Sequence, residues 1–245
     1  MTKQTVLITG GAKRIGRAIA ISLAKQGYSI AIHYNKSQNE AEDLANQLKK
    51  YHAKTCTIKA DLSKPTEVKK IFPFVNEKIG QVDCLINNAA IIGKDDIFDV
   101  SQKSWSSHIE TNLHAPVVLS QQFALQHKSS GGNIINMLDY CVLNLPDDFL
   151  SYTISKSGLF AATKMLGLKL APEIRVNAIA PGHSLINDKE SPEKFELAKK
   201  ATPLQNGADI DEICRSIDFI LNSPSMTGQV IALDGGKNLV GAEFY

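Results

Sequence analysis

Apolar and polar positions along the chain alternate between two periods. Short β-branched runs read as strands at Thr5–Thr9, Ser29–His33, Thr55–Lys59, Cys84–Asn87, Asn133–Met137, Arg175–Ala178 and Gln229–Leu233. Longer amphipathic stretches between them predict helices at about Ile15–Gln26, Asn39–Tyr51, Thr66–Ile79, Ser104–His127, Tyr152–Leu170 and Asp209–Asn222. In the first, Ile15, Ala18, Ile19, Ser22 and Leu23 recur at spacings of three and four, which puts them on one helix face. Strands separated by helices of this length predict parallel pairing, because each strand must return by a crossover. The expected architecture is a single doubly wound α/β domain of Rossmann type over residues 1–245, a seven-stranded parallel sheet with helices on both faces. One stretch, Pro181 to Gly207, offers no convincing strand. A connection that long predicts a lid-like substrate loop over about 183–207.

Composition excludes more than it selects. The chain has 245 residues, 43% hydrophobic and 21% charged, and a net charge of +2, which argues neither for nucleic acid nor for an anionic membrane surface. No apolar run approaches the roughly 18 residues of a membrane span. The N-terminus runs from Met1-Thr2-Lys3-Gln4 directly into a strand, so no signal peptide is expected. Cys56, Cys84, Cys141 and Cys214 are widely spaced and read as reduced thiols, which suits the cytoplasm. The six histidines show no metal-ligand spacing, and no metal site is expected. Charge is uneven along the chain: residues 1–39 hold no acid but carry Lys3, Lys13, Arg14, Arg17, Lys25 and Lys36, which suits a polyanionic ligand.

The glycine-rich stretch Thr9-Gly10-Gly11-Ala12-Lys13-Arg14-Ile15-Gly16 follows the first strand and opens the first helix. Gly10 and Gly11 permit a tight turn, Gly16 lets the helix approach the sheet, and the helix N-terminus offers free N–H groups to a pyrophosphate. Arg14 then reads as a guanidinium beside that pyrophosphate. A nicotinamide dinucleotide without a 2′-phosphate needs an acid near the end of the second strand. Here stands His33-Tyr34-Asn35-Lys36-Ser37, and the first acid is Glu40. Asn35, Lys36 and Ser37 are suited to a 2′-phosphate, so NADP(H) is the expected cofactor. Asp61-Leu62 is placed to meet the adenine, Asn87-Asn88-Ala89 the ribose, and Pro181-Gly182 the nicotinamide.

Tyr152 and Lys156, four residues apart, share a helix face. A phenol beside an ammonium is a proton donor whose conjugate base is stabilised. Thirteen residues earlier stands Asp139, with no serine in Met137–Val142. A carboxylate would repel the charge that grows on a ketone oxygen, whereas it can accept from an amino-pyrimidine N–H or share a proton with Tyr152 for a C=N nitrogen.

Together these residues resemble the short-chain dehydrogenase/reductase family over nearly the whole chain, from Thr5 to about Leu239. The set comprises Thr9-Gly10…Gly16, Asp61, Asn87-Asn88-Ala89, Asn112, Tyr152…Lys156, Pro181-Gly182 and Leu233-Asp234-Gly235-Gly236. Within that family the chain is most similar to the pteridine, dihydromonapterin and dihydrofolate reductases of short-chain type. The closer match rests on Gly11–Arg17, His33–Ser37, Asp139-Tyr140 and Ala171-Pro172-Glu173. The resemblance implies a cytoplasmic, homotetrameric NADPH-dependent reductase acting on a pterin or folate. It makes Tyr152 the proton donor, has Lys156 bind the nicotinamide ribose and lower the tyrosine pKa, and gives Asn112 a relay water. It sets Arg14, Asn35, Lys36, Ser37, Asp61 and Leu62 against NADPH, and Ser184 near the diphosphate or the substrate. One departure stands out: after Asn87-Asn88-Ala89, where those reductases place a stacking aromatic, the chain has Ala90-Ile91-Ile92-Gly93, with no ring until Phe98. A 3-oxoacyl-[acyl-carrier-protein] reductase is the rival with the same fold, and a non-catalytic NADP-binding sensor the rival of another class.

Overall fold

A computed structural model describes residues 4–127, 131–186 and 191–240. Its seven strands are β1 (Thr5–Ile8), β2 (Ser29–Tyr34), β3 (Thr55–Lys59), β4 (Cys84–Asn87), β5 (Gly132–Met137), β6 (Ile174–Pro181) and β7 (Val230–Leu233). They form one parallel sheet in the order β3-β2-β1-β4-β5-β6-β7, with Val6 opposite Cys84 and Ile8 opposite Ile86 at its centre. The helices are α1 (Arg14–Lys25), α2 (Gln38–Leu48), α3 (Pro65–Val68), α4 (Ile71–Ile79), α5 (Gln102–Ile109), α6 (Ala115–Gln126), α7 (Leu150–Lys169), α8 (Pro192–Lys200) and α9 (Ile210–Leu221). The doubly wound sheet expected from the strand–helix alternation is the one observed.

Alternation within β1 shows why helices cover both faces. Val6 and Ile8 join one apolar cluster with Ile19, Leu23, Leu44 and Ile217, while Leu7 joins another with Phe72, Leu119 and Phe123. Each such side chain, fully buried, is worth about 1.5–3 kcal/mol. The strand order reverses between β1 and β4, and their C-terminal ends open a crevice where ligands bind in folds of this kind.

Three expected elements differ, and two of them for the same reason. The helix expected over Thr66–Ile79 is split into α3 and α4: Pro73 has no N–H for the Lys69 carbonyl four residues back, which accepts instead from Gln122 Nε2 at 3.1 Å. The helix expected over Ser104–His127 is interrupted by a π-helical turn at Glu110–His114, where Pro116 cannot donate to the Asn112 carbonyl. The supposed lid loop holds a helix, α8, with Ser191 accepting from the Lys194 N–H and Pro192 at its first position. Positions 187–190 of that lid lie outside the described residues. Among the described residues no helix is long and apolar enough to cross a membrane.

Candidate active site

The crevice is a cavity of about 1350 Å³. Its floor is set where the turns after β1 and β4 interlock. Thr9 Oγ1 accepts from the N–H groups of Asn88 (2.9 Å) and Ala89 (3.0 Å), while Asn88 Nδ2 donates to Thr9 O (2.8 Å) and Gly10 O (3.2 Å). Gly10 sits at φ +61, and a Cβ on Gly16 would stand 2.4 Å from the Gly10 carbonyl oxygen. Only glycine permits that approach of helix to turn. No acid lies in the first turn of α1, so its positive end faces the cavity uncompensated.

Basic groups around this turn are engaged. Lys13 pairs with Glu40 at 2.5 Å, which neutralises the first acid of the chain. Arg14, itself left-handed at φ 53, donates from Nη1 to Ile186 O (2.6 Å) and from Nη2 to Leu185 O (3.0 Å). It therefore lines the cavity and also ties the start of the lid to the glycine turn. His33 closes the same corner from β2. The Gly10 N–H donates to its Nδ1 (3.1 Å), which leaves Nε2 to donate to Ala60 O at 3.0 Å. Burial pushes the imidazole down to about 4, against a small opposing effect of the Ala60 bond, so it is neutral at physiological pH.

Of the residues expected to hold the cofactor, Gly10, Arg14, Ile15, Asn35, Asp61, Leu62, Asn88, Ala89, Pro181, Gly182 and Ser184 all line this cavity, as do Tyr152 and Lys156. Lys36 and Ser37 do not. They follow Asn35 beyond the end of β2, with Lys36 exposed and close enough to Asp61 to help hold that carboxyl below its ordinary range. The larger cause of that depression is Ser63, whose Oγ donates to Asp61 Oδ1 at 2.7 Å.

Asp139, Tyr152 and Lys156 meet on the cavity wall where β5 ends. Tyr152 Oη donates to Asp139 Oδ2 at 2.7 Å. Asp139 Oδ1 accepts from the Cys141 N–H at 3.0 Å and caps a short turn. One carboxylate thus does two jobs, one with each oxygen. Lys156 Nζ donates to Met137 O at 2.8 Å and stands 6.0 Å from the centre of the Tyr152 ring. Burial, and then the Asp139 charge, raise the Tyr152 hydroxyl well above its ordinary pKa. Burial also depresses the Lys156 ammonium, which is drawn to the Met137 carbonyl at the end of β5. Asn112 lies behind the wall. Its side chain bridges the Ile91 backbone, accepting from Ile91 N and donating to Ile91 O (both 2.9 Å), and also donates to Ser155 Oγ (3.1 Å).

Several wall residues carried no legible signal. His33 belonged to the His33–Ser37 stretch but nothing there marked it as a clamp on the glycine turn, and Cys141, Phe149 and His183 were hidden in loops. Phe195 does not line the cavity but packs its ring edge on His183, with centroids 6.4 Å apart.

Residues 10–238 match a family model described as "Enoyl-(Acyl carrier protein) reductase". The 3-oxoacyl-[acyl-carrier-protein] reductase FabG of Staphylococcus aureus is 31% identical over 242 residues, 96% of this chain and 98% of that protein. That of Staphylococcus epidermidis is 29% identical over 240 residues, 95% and 98%. Two crystal structures described as FolM alternative dihydrofolate reductase 1, each with NADP, superpose with TM-score 0.94. The Brucella canis protein is 37% identical, covering 98% of this chain and 95% of its own; the Brucella suis protein is 38% identical, covering 98% and 97%. The chain therefore belongs to the short-chain dehydrogenase/reductase family of oxidoreductases.

Proposed function

We propose that this protein is an NADPH-dependent reductase of a C=N bond in a dihydropterin or dihydrofolate. The observation that carries the reading is the Tyr152–Asp139 hydrogen bond, a carboxylate where carbonyl chemistry calls for a neutral donor. The solved relatives named for dihydrofolate reduction support it.

The cavity fits a dinucleotide: the close approach at Gly16, the acid-free first turn of α1 and the neutralised Glu40 leave room and positive potential for phosphates. Bound NADPH would supply the hydride. Tyr152 and Asp139 share the proton of their hydrogen bond; the pair would give it up to the ring nitrogen as the C=N bond is reduced and recover one from solvent afterwards. Lys156 holds positive charge beneath the phenol and meets the nicotinamide ribose. Asn112 fixes the Ile91 backbone of the opposite wall.

NADPH oxidation, followed with dihydropterin, dihydrofolate and an acetoacetyl thioester, tests this assignment. Turnover of the first or second, with NADH much the poorer donor and Lys36→Asp narrowing that preference, is expected. Turnover of the thioester alone would instead make the protein a carbonyl reductase. No turnover at all would leave the sensor.

We also propose a homotetramer, built on the long helices. Leu125 on α6 and Met165 and Leu168 on α7 are 62%, 71% and 84% exposed, apolar surface that a two-fold contact would cover. Light scattering at micromolar concentration should give four chains. A monomer would remove the proposal.

A further inference from the structure

Helix α7, which carries Tyr152 and Lys156, begins in an unusual way. Its N-cap is Phe149, in the left-handed region at φ 57 and ψ 41, with no side-chain bond to the helix. Such positions favour Ser, Thr, Asp or Asn, whose oxygen accepts from the first free N–H groups. A bulky residue there also meets its own Cβ against the backbone. Two unfavourable choices thus coincide at one residue, and that residue lines the cavity.

The surroundings compensate for both. Asp95, on the loop after β4, supplies the missing cap from outside the helix. Its Oδ1 accepts from the Ser151 N–H at 3.0 Å, its Oδ2 accepts a short bond from Ser151 Oγ, and its carbonyl accepts from the Leu150 N–H at 2.9 Å. His108 Nδ1 lies 2.6 Å from the same Ser151 Oγ, and Asp95, Ser151 and His108 are all buried. Because Ser151 gives its one proton to Asp95, His108 donates through Nδ1. The strand-side loop, α5 and α7 are pinned together by this chain. Strained conformations that surrounding structure over-determines in this way cluster at ligand-binding positions.

The cavity also lacks something on the segment that follows β4. The segment after Asn87-Asn88-Ala89 supplies Ala90, Ile91, Ile92 and Lys94 to the lining, so it offers a flat substrate no ring. We propose that Phe149 is the aromatic contact for the flat ring of the substrate, and that the Asp95 cap is what allows an aromatic to stand at the head of α7. This rests on the pterin or folate reading above. It makes Phe149 a specificity-determining residue, because an aromatic face discriminates a planar heterocycle from a flexible acyl chain.

Ring and backbone can be separated by substitution. Phe149→Ala and Phe149→Gly both remove the ring, but only alanine keeps a Cβ in the left-handed region. KM for dihydropterin should rise about tenfold in both, the loss of one aromatic contact with its buried area. NADPH affinity, titrated by fluorescence, should stay within about twofold, since a lost contact to the substrate ring leaves the cofactor's own contacts in place. Phe149→Tyr should restore the substrate KM. The glycine variant should melt above the alanine variant, the reverse of their order inside a helix. Asp95→Ala should raise KM in the wild-type background and add nothing in the Phe149→Gly background, as expected if both act through one ring.

An unchanged KM in the alanine and glycine variants would overturn the proposal while leaving the pterin reading intact. Additive effects of Asp95→Ala and Phe149→Gly would break the link between cap and ring. A wild-type protein that reduces the acetoacetyl thioester but no dihydropterin or dihydrofolate would end the pterin reading, and the proposal with it, before any variant is made.

Discussion

Asp139→Ser is expected to slow dihydropterin reduction by about 10²–10⁴, the usual cost of losing a positioned acid–base group. NADPH affinity should hardly change, because Asp139 is not among the residues expected to hold the cofactor. The structure separates the two tasks of this carboxylate. Oδ2 accepts the Tyr152 proton at 2.7 Å, while Oδ1 caps the turn through the Cys141 N–H at 3.0 Å. Asp139→Asn keeps an oxygen for the cap and removes only the charge, so its thermal midpoint should stay near wild type while its rate falls. A carboxylate that served only the turn would give the opposite pattern, with turnover intact in both variants and stability at most slightly lower, since serine and asparagine also offer the turn an oxygen. An optical signature accompanies the kinetic one. The Asp139 charge is one of the causes that raise the Tyr152 pKa, so phenolate absorbance should appear at lower pH in Asp139→Asn than in the wild type. Serine at this position adds a neutral donor and should bring some activity on a carbonyl substrate, since a repulsive charge gives way to a hydroxyl. Single-turnover rates on dihydropterin decide the matter; unchanged rates in both variants would take Asp139 out of the chemistry and weaken the choice of a pterin over a ketone.

Much of this site could be read before the fold was seen, because its parts carry local constraints. The glycine turn is legible since Gly10 and Gly16 answer to close approaches of backbone, and the Tyr152–Lys156 pair since a helix puts residues four apart on one face. Asp139 was legible through the absence of a serine nearby. What stayed hidden depends on contacts between distant segments. Nothing at Asp95 announces that it will cap a helix starting at Leu150, and nothing at Phe149 announces a left-handed N-cap. The breaks at Pro73 and Pro116 could have been found, because each proline removes a donor that the carbonyl four residues back requires. Periodicity ran through both prolines and concealed them. The Ser191-Pro192 start of α8 was likewise present in the sequence, as a capping residue followed by proline. The direction of the Tyr152 pKa could not be read from spacing at all. It follows from burial and then from the Asp139 charge.

His33 should make the fold sensitive to mild acid. In the folded protein its Nδ1 accepts from the Gly10 N–H and its Nε2 donates to Ala60 O, so an added proton has no place without breaking the corner that joins β1, β2 and β3. Burial lowers its pKa from 6.5 to about 4. The unfolded chain takes up a proton near the higher value and the folded chain only near the lower one. Stability is therefore complete above about pH 6.5, declines as the pH falls through this window, and is fully diminished below about 4. The loss amounts to about 3 kcal/mol, a large part of what holds an ordinary domain together. Carboxylates titrate in the lower half of the same window, so the wild-type curve alone does not isolate the imidazole. His33→Gln retains hydrogen-bonding capacity and cannot titrate. Its stability at neutral pH should be lower than wild type, but its curve between pH 6.5 and 4 should be flatter by that same amount. Urea unfolding of both proteins at half-unit steps of pH measures the difference directly. Parallel curves would mean that His33 takes up its proton in the folded state without penalty, and that the neutral clamp on the glycine turn is not what keeps this corner closed.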